Sequence, residues 1–294
     1  MRPTGGALCP LLLSGAAGTS IRPATAAQPF QCGHKGGDFT CGLEADVAGL
    51  DMQASAAAST RDVAMNIYET LVTRDEHMKP LLQLAQSVDT DPDDKTFTFH
   101  LRQGVHFHNG KPMTSADVLA SFQRYHRVGT DCSILAPVDH YETPDAATFR
   151  IVLKESHPTF LESMSAITVP IVIIPKENAG ALPQQLPAVG TGPYQLDRFV
   201  PDSYVKLKRF EGYAPDPRYT DEDGFGGYKQ ACLDTVTFRM VPELGARVAG
   251  LETGELQGVE DVPTIAQRVE AQPIAAISWL DLLHRGREGA AGPA

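Results

Sequence analysis

The stretch TFTFHLRQGVHFHNGKPMTSADV, Thr96 to Val118, constrains the fold more than any other part of this chain. Phe97, Phe99 and Leu101 alternate with Thr98, His100 and Arg102, the period of a strand with one buried face. Val105 and Phe107 continue the apolar positions. A two-residue loop at Gln103-Gly104 would turn Val105 onto the polar face. A three-residue loop, Arg102 to Gly104, keeps it inside and uses Gly104 for the left-handed position. In that register Leu101 pairs with Val105 and Phe99 with Phe107. Asn109-Gly110 marks a second turn. Thr114 and Asp117 have capping-box spacing and open a helix whose Val118, Phe122 and Tyr125 share one stripe.

The remaining elements are shorter. Phe39 to Glu44 and Phe149 to Leu153 read as strands. Ser59 or Thr60 caps a helix that carries Val63, Ile67 and Leu71 on one face. Thr159 to Ala166 reads as a helix, and the apolar run Val169 to Ile174 as a buried strand. Tyr194 to Phe199 and Tyr204 to Lys208 form a hairpin around Pro201-Asp202. Ala214 to Tyr228, rich in Pro, Gly and Asp, reads as an exposed loop. Thr235 to Val241, Glu243 to Glu252 and Leu256 to Val259 read as strand, helix and strand. A chain of 294 residues with this irregular mix predicts an α/β (mixed α+β) fold in one large or two smaller domains.

Few patterns carry chemistry. The register above sets His100 opposite His106 with His108 further along the same face. Imidazoles so placed can share a metal, and the plainer reading is a solvated hairpin face. Gly190 to Tyr194, GTGPY, lacks the third glycine and the Lys-Ser/Thr of a phosphate loop and reads as a crossover turn. No nucleophile or zinc-protease motif is present, so no catalytic residue is assigned. A formal net charge of -11 argues against a nucleic-acid partner. Of the five cysteines, Cys9 lies in a possible leader. Cys32 and Cys41 either pair in an oxidising compartment or stay as buried thiols.

The order TFHLR-x-GV-x-FH-x-G-x-P-x-T-x-x-DV, with NIYETLV at Asn66 to Val72, GTGPY and the Thr235 to Pro263 segment, resembles the family 5 extracellular solute-binding proteins of ABC importers. The resemblance implies a periplasmic-binding-protein type II-like fold. On that comparison residues 35–263 form the first lobe, residues 1–34 a leader with an A-x-A site at Ala24 to Ala26, and residues 264–294 a divergent tail. The second lobe is missing, so the chain reads as a truncated copy. The implied function is capture of peptides or similar small solutes for a membrane ABC permease, by an exported, periplasmic monomer without a cofactor. The family lines its pocket with the loop after the first strand, which implicates Glu44 and Asp46 as receivers of a ligand amine. By position it also implicates Ala120, Ala166 and Thr168. Tyr68 is a further candidate, and core packing explains an aromatic on an amphipathic helix equally well. Selectivity is shared with the second lobe, so the chain alone is expected to bind weakly or not at all.

Overall fold

The computed structural model describes residues 29–33 and 35–260. In chain order these contain β1 (Asp38–Leu43), α1 (Ala58–Ala64), β2 (Val72–Arg74), β3 (Pro80–Leu82), β4 (Ala85–Thr90), β5 (Thr96–Leu101), α2 (Ser115–Val128), β6 (Val138–Asp145) and β7 (Thr148–Leu153). There follow α3 (Phe160–Met164), β8 (Tyr194–Val200), β9 (Tyr204–Arg209), β10 (Glu222–Asp223), β11 (Gly226–Gly227), β12 (Thr235–Met240), α4 (Leu244–Thr253) and β13 (Gly258–Val259). The expected leader and the 264–294 tail lie, apart from residues 29–33, outside the described residues.

Two sheets organise the molecule. One is mixed, in the order β13-β1-β12-β9-β8, and the other antiparallel, in the order β4-β5-β7-β6. In the first, β12 and β13 both run parallel to β1 and flank it, with α4 as the crossover between them. This is the mixed α/β arrangement that the sequence predicts. Each sheet has its own core. Phe97, Phe99, Phe149, Ile151, Phe122 and Tyr125 pack in one, and Phe39, Leu43, Tyr194, Leu207 and Phe238 in the other.

The segment Val169 to Ile174 joins these cores. Val169, Ile171 and Ile173 enter the core of the antiparallel sheet, while Val172 and Ile174 enter the other. Its continuous apolar character follows from serving a core on each side. It joins neither sheet as a strand. Its ladder contacts are a single bridge between Thr70 and Val172 and the Ile173 N–H bond to the Glu69 carbonyl at 2.9 Å.

The hairpin expected after β5 does not form. Both edges of β5 are taken, by β4 and by β7, with Phe99 opposite Val88 and Phe149. Residues 105–113 instead turn on themselves: Phe107 N–H donates to the Lys111 carbonyl and Met113 N–H to the Val105 carbonyl. Val105 and Phe107 are nevertheless buried, and Gly104 is left-handed at φ 76°. The apolar pattern identified the buried side chains without specifying their backbone partners. The helix start is as expected, with Asp117 Oδ2 accepting from the N–H of Thr114 at 2.9 Å and from its hydroxyl at 2.7 Å.

Three further expectations need correction. The first helix begins after Ala57 and ends at Ala64, so Leu71 is not on it. Ser59 and Thr60 do not cap it, because their hydroxyls fasten the preceding loop through the Asp46 and Gly49 carbonyls. Nor does the helix extend through Asn66 and Ile67. Their carbonyls accept from the N–H groups of Tyr194 and Gly192, which leaves them unavailable to a longer helix. Cys32 pairs with Cys232, not with Cys41, which is a buried free thiol on β1. Residues 214–228 are not an exposed loop: Asp216 and Gly226 are buried, and Arg218 reaches across to the Ala85 carbonyl.

Candidate functional site

A pocket opens where the two cores meet. Its walls come from Met52, from Arg61 and Met65 around the end of α1, from β2, and from the Ser165 to Val172 segment; Lys229 and Phe225 complete it. A second hollow adjoins it, lined by Ser55 to Ala57 and by Thr168. Met52, Arg61, Ile167 and Pro170 border both, so they form one continuous depression.

The floor is charged and desolvated. Glu69 is only 3% exposed; its carboxylate accepts from the Thr191 hydroxyl at 2.8 Å and from the Tyr213 hydroxyl at 3.1 Å. Burial raises its pKa, against the opposing charges of Lys229 and Arg102. Lys229 is buried as well; desolvation lowers its pKa and the neighbouring Glu69 and Glu222 charges counter this. The two thus compensate one another across the floor. Gln83 adds a neutral anchor, its side-chain oxygen accepting from Thr70 N–H at 2.8 Å.

The 210–229 segment is tied over this floor by arginines. Arg102, on the residue after β5, donates to the Ala214 carbonyl at 2.6 Å and lies 3.7 Å from Asp216. Arg218 holds the same Asp216 at 2.5 Å. These guanidiniums draw the Asp216 carboxyl below the usual range in spite of its burial. A second buried pair, Arg124 with Asp51, ties α2 to the loop ahead of α1 through contacts of 3.0 and 2.5 Å, and Gln53 accepts a further bond from Arg124 at 2.9 Å.

The residues singled out in the sequence separate into two groups. Tyr68 and Ala166 line the main pocket and Thr168 the adjoining hollow. Glu44 instead forms an ion pair with Arg247 at 3.5 Å, and Asp46 is exposed in the loop that its carbonyl fastens to Ser59. Ala120, midway along α2, lines neither cavity. Arg61, Glu69, Gln83 and Lys229 were not anticipated. Glu69 left a signal, as a carboxylate amid the apolar residues of NIYETLV.

The histidine face is not assembled. His100 stands opposite Ser87 and Thr148 and bonds Asp89 at 3.0 Å. His106 contacts the Gly104 carbonyl, and His108 faces the GTGPY turn. Among the described residues no cluster of three or more His, Cys, Asp or Glu suits a metal ion, and no helix is long and apolar enough to cross a membrane.

GTGPY is the crossover turn expected, and its glycines serve close approach. A Cβ on Gly190 would stand 2.1 Å from the Ile67 carbonyl oxygen and one on Gly192 2.5 Å from that of Asn66. This packing brings Thr191 onto Glu69.

Comparisons with known proteins bear on the family and the fold. Residues 79–278 match the bacterial extracellular solute-binding proteins, family 5 Middle. A probable peptide ABC transporter periplasmic-binding protein of Sinorhizobium fredii is 33% identical over 213 residues, 70% of this chain and 40% of that protein. The glutathione-binding protein GsiB of Salmonella typhi is 28% identical, over 77% of this chain and 42% of its own length. The structure of the binding protein AgaA from A. tumefaciens R10, in complex with agropinic acid, superposes with a TM-score of 0.69 at 27% identity, over 81% of this chain and 46% of that one. The chain therefore spans less than half the length of these relatives.

Proposed function

The chain belongs to the bacterial extracellular solute-binding proteins of family 5, and on that premise we propose that it serves an ABC importer by capturing a peptide or similar small solute. The family is one of binding proteins, not enzymes. The observation that carries the reading is the depression at the junction of the two cores, with apolar walls and hydrogen-bonding groups around a charge-compensated floor. Such a site removes a small solute from water and satisfies its polar groups without covalent chemistry. Relatives whose names specify peptides or glutathione support this solute class.

In this reading residues 35–263 are the first lobe, after a leader at 1–34 and before a tail at 264–294. Tyr68, Ala166 and Thr168 contact the solute. Ligand contacts to two lobes would favour a closed state. The Cys32–Cys232 disulfide supports an exported, periplasmic protein, because such bonds persist in oxidising compartments. The permease is the expected partner.

Calorimetric titration of the full chain with a pool of di- and tripeptides tests the proposal. Saturable binding in the millimolar to micromolar range is the expected result. Absence of binding at millimolar peptide would refute capture by this chain.

A further inference from the structure

We propose that Arg61 is an anchor for an anionic group of the captured solute, so that the site selects solutes carrying a free carboxylate. This rests on the solute-capture reading above. Arg61 borders both the main pocket and its adjoining hollow, together with Met52, Ile167 and Pro170, and it is the charged residue among these four. The other charges of the lining, Glu69 and Lys229, lie in the desolvated floor and compensate each other. The remaining polar groups of the lining are neutral, among them Thr70, Thr73, Gln83 and Ser165.

Arg61 is differently placed. Its side chain is 32% exposed, and its ion pair among the described residues is a loose one, Nε to Asp62 Oδ1 at 3.8 Å. That contact engages one edge of the guanidinium and leaves the two terminal amino groups for a bidentate partner, the geometry that arginine offers a carboxylate. Asp62 is a poor competitor for it. Burial, together with the neighbouring Glu260 carboxyl, raises its pKa to about 7, so Asp62 carries only part of its negative charge at neutral pH. An uncommitted cation at the mouth of a pocket, in a chain of net charge -11, is a local reversal of sign. Such a reversal favours an anion in the pocket while the surrounding field discourages anions elsewhere.

The test uses the full chain and two matched probe sets: tripeptides with a free C-terminal carboxylate and the same tripeptides as C-terminal amides. The free acids are expected to bind at least about tenfold more tightly than the amides, as one charge-assisted pair provides. Arg61→Met should bring the acids down to the amides and leave the amides unchanged. Equal binding of acids and amides by the natural chain, or a preference that survives Arg61→Met, would overturn the anchor while leaving solute capture intact. If no tripeptide binds, capture fails, and the anchor is then judged alone. N-acetylglycine, but not N-acetylglycinamide, should shift the Arg61 Nε–H resonance, which is identified by its loss in Arg61→Met. An unmoved resonance would overturn it.

Discussion

His108 and Gly192 are joined by a hydrogen bond of 3.0 Å from the imidazole Nε2 to the glycine carbonyl. The other ring nitrogen, Nδ1, accepts from Gly190 N–H at 3.3 Å, and His108 N–H donates to the Gly190 carbonyl at 2.9 Å. The ring is therefore the neutral tautomer with its proton on Nε2, and it clamps the turn that delivers Thr191 to Glu69. Phe210 packs edge-on against it at 4.9 Å.

Burial holds the His108 pKa down to about 4. A histidine whose folded pKa lies below its unfolded value near 6.5 contributes stability that is complete above 6.5 and is lost as pH falls towards 4. Chemical denaturation of the natural chain should show this loss between those values, and His108→Ala should lack that component. At pH 7.5 the variant should be less stable by about 2–4 kcal/mol, from the cavity and the unpaired backbone groups.

The Asp62 carboxyl gives the opposite slope. Its folded pKa, raised to about 7 by burial and the bond to Glu260, exceeds the unfolded value of 3.8. Its contribution is complete below the unfolded value and is lost as pH rises through 7. Asp62→Asn should flatten denaturation midpoints between pH 4 and 7 relative to the natural chain.

Gly192→Ala would drive a Cβ against the Asn66 and Ile67 backbone. A cost of about 1–3 kcal/mol is expected in urea titrations. Gly245→Ala on α4, where nothing lies within 4 Å of the added carbon, should be neutral or slightly stabilising.

The Arg124–Asp51 pair is completely enclosed, with side-chain exposures of 0% and 1%. Arg124→Met strands the Asp51 carboxylate and should cost about 3–5 kcal/mol. The double variant Arg124→Met with Asp51→Asn should recover part of that loss, measured by thermal unfolding.

Reduction of Cys32–Cys232, whose partners are 200 residues apart in sequence, should lower stability by about 2–5 kcal/mol. A Cys32→Ala and Cys232→Ala double variant should start lower and ignore the reductant in the same melt.

Elements with a local signature were legible in the sequence. The alternation in β5 and β7, the Thr114–Asp117 capping box and the Pro201-Asp202 turn each have a cause within a few residues, and each was placed correctly. Pairing was not legible. Phe99 and Phe107 are both buried, yet only the competition of β4 and β7 for β5 decides that they are not on paired strands. The cysteine pairing failed for the same reason, because Cys232 enters from the far end of the chain. Around the pocket, Ala166 and Thr168 were singled out through the family resemblance, whereas Arg61 and Lys229 are polar residues in unpatterned sequence and acquire meaning only from the pocket that contains them.

The alternating segment from Val169 to Ile174 also determines what change of length the molecule can absorb. Its odd positions belong to one core and Val172 and Ile174 to the other, with Pro170 at the pocket wall between them. Adding or removing a single residue there would exchange the two sets of side chains, presenting each core with groups shaped for its neighbour. The surface turns of either sheet have no such double commitment. Inserted sequence, whether a tag or a natural extension, is best accommodated at those turns, and this short crossing is where the chain has the least freedom to vary in length.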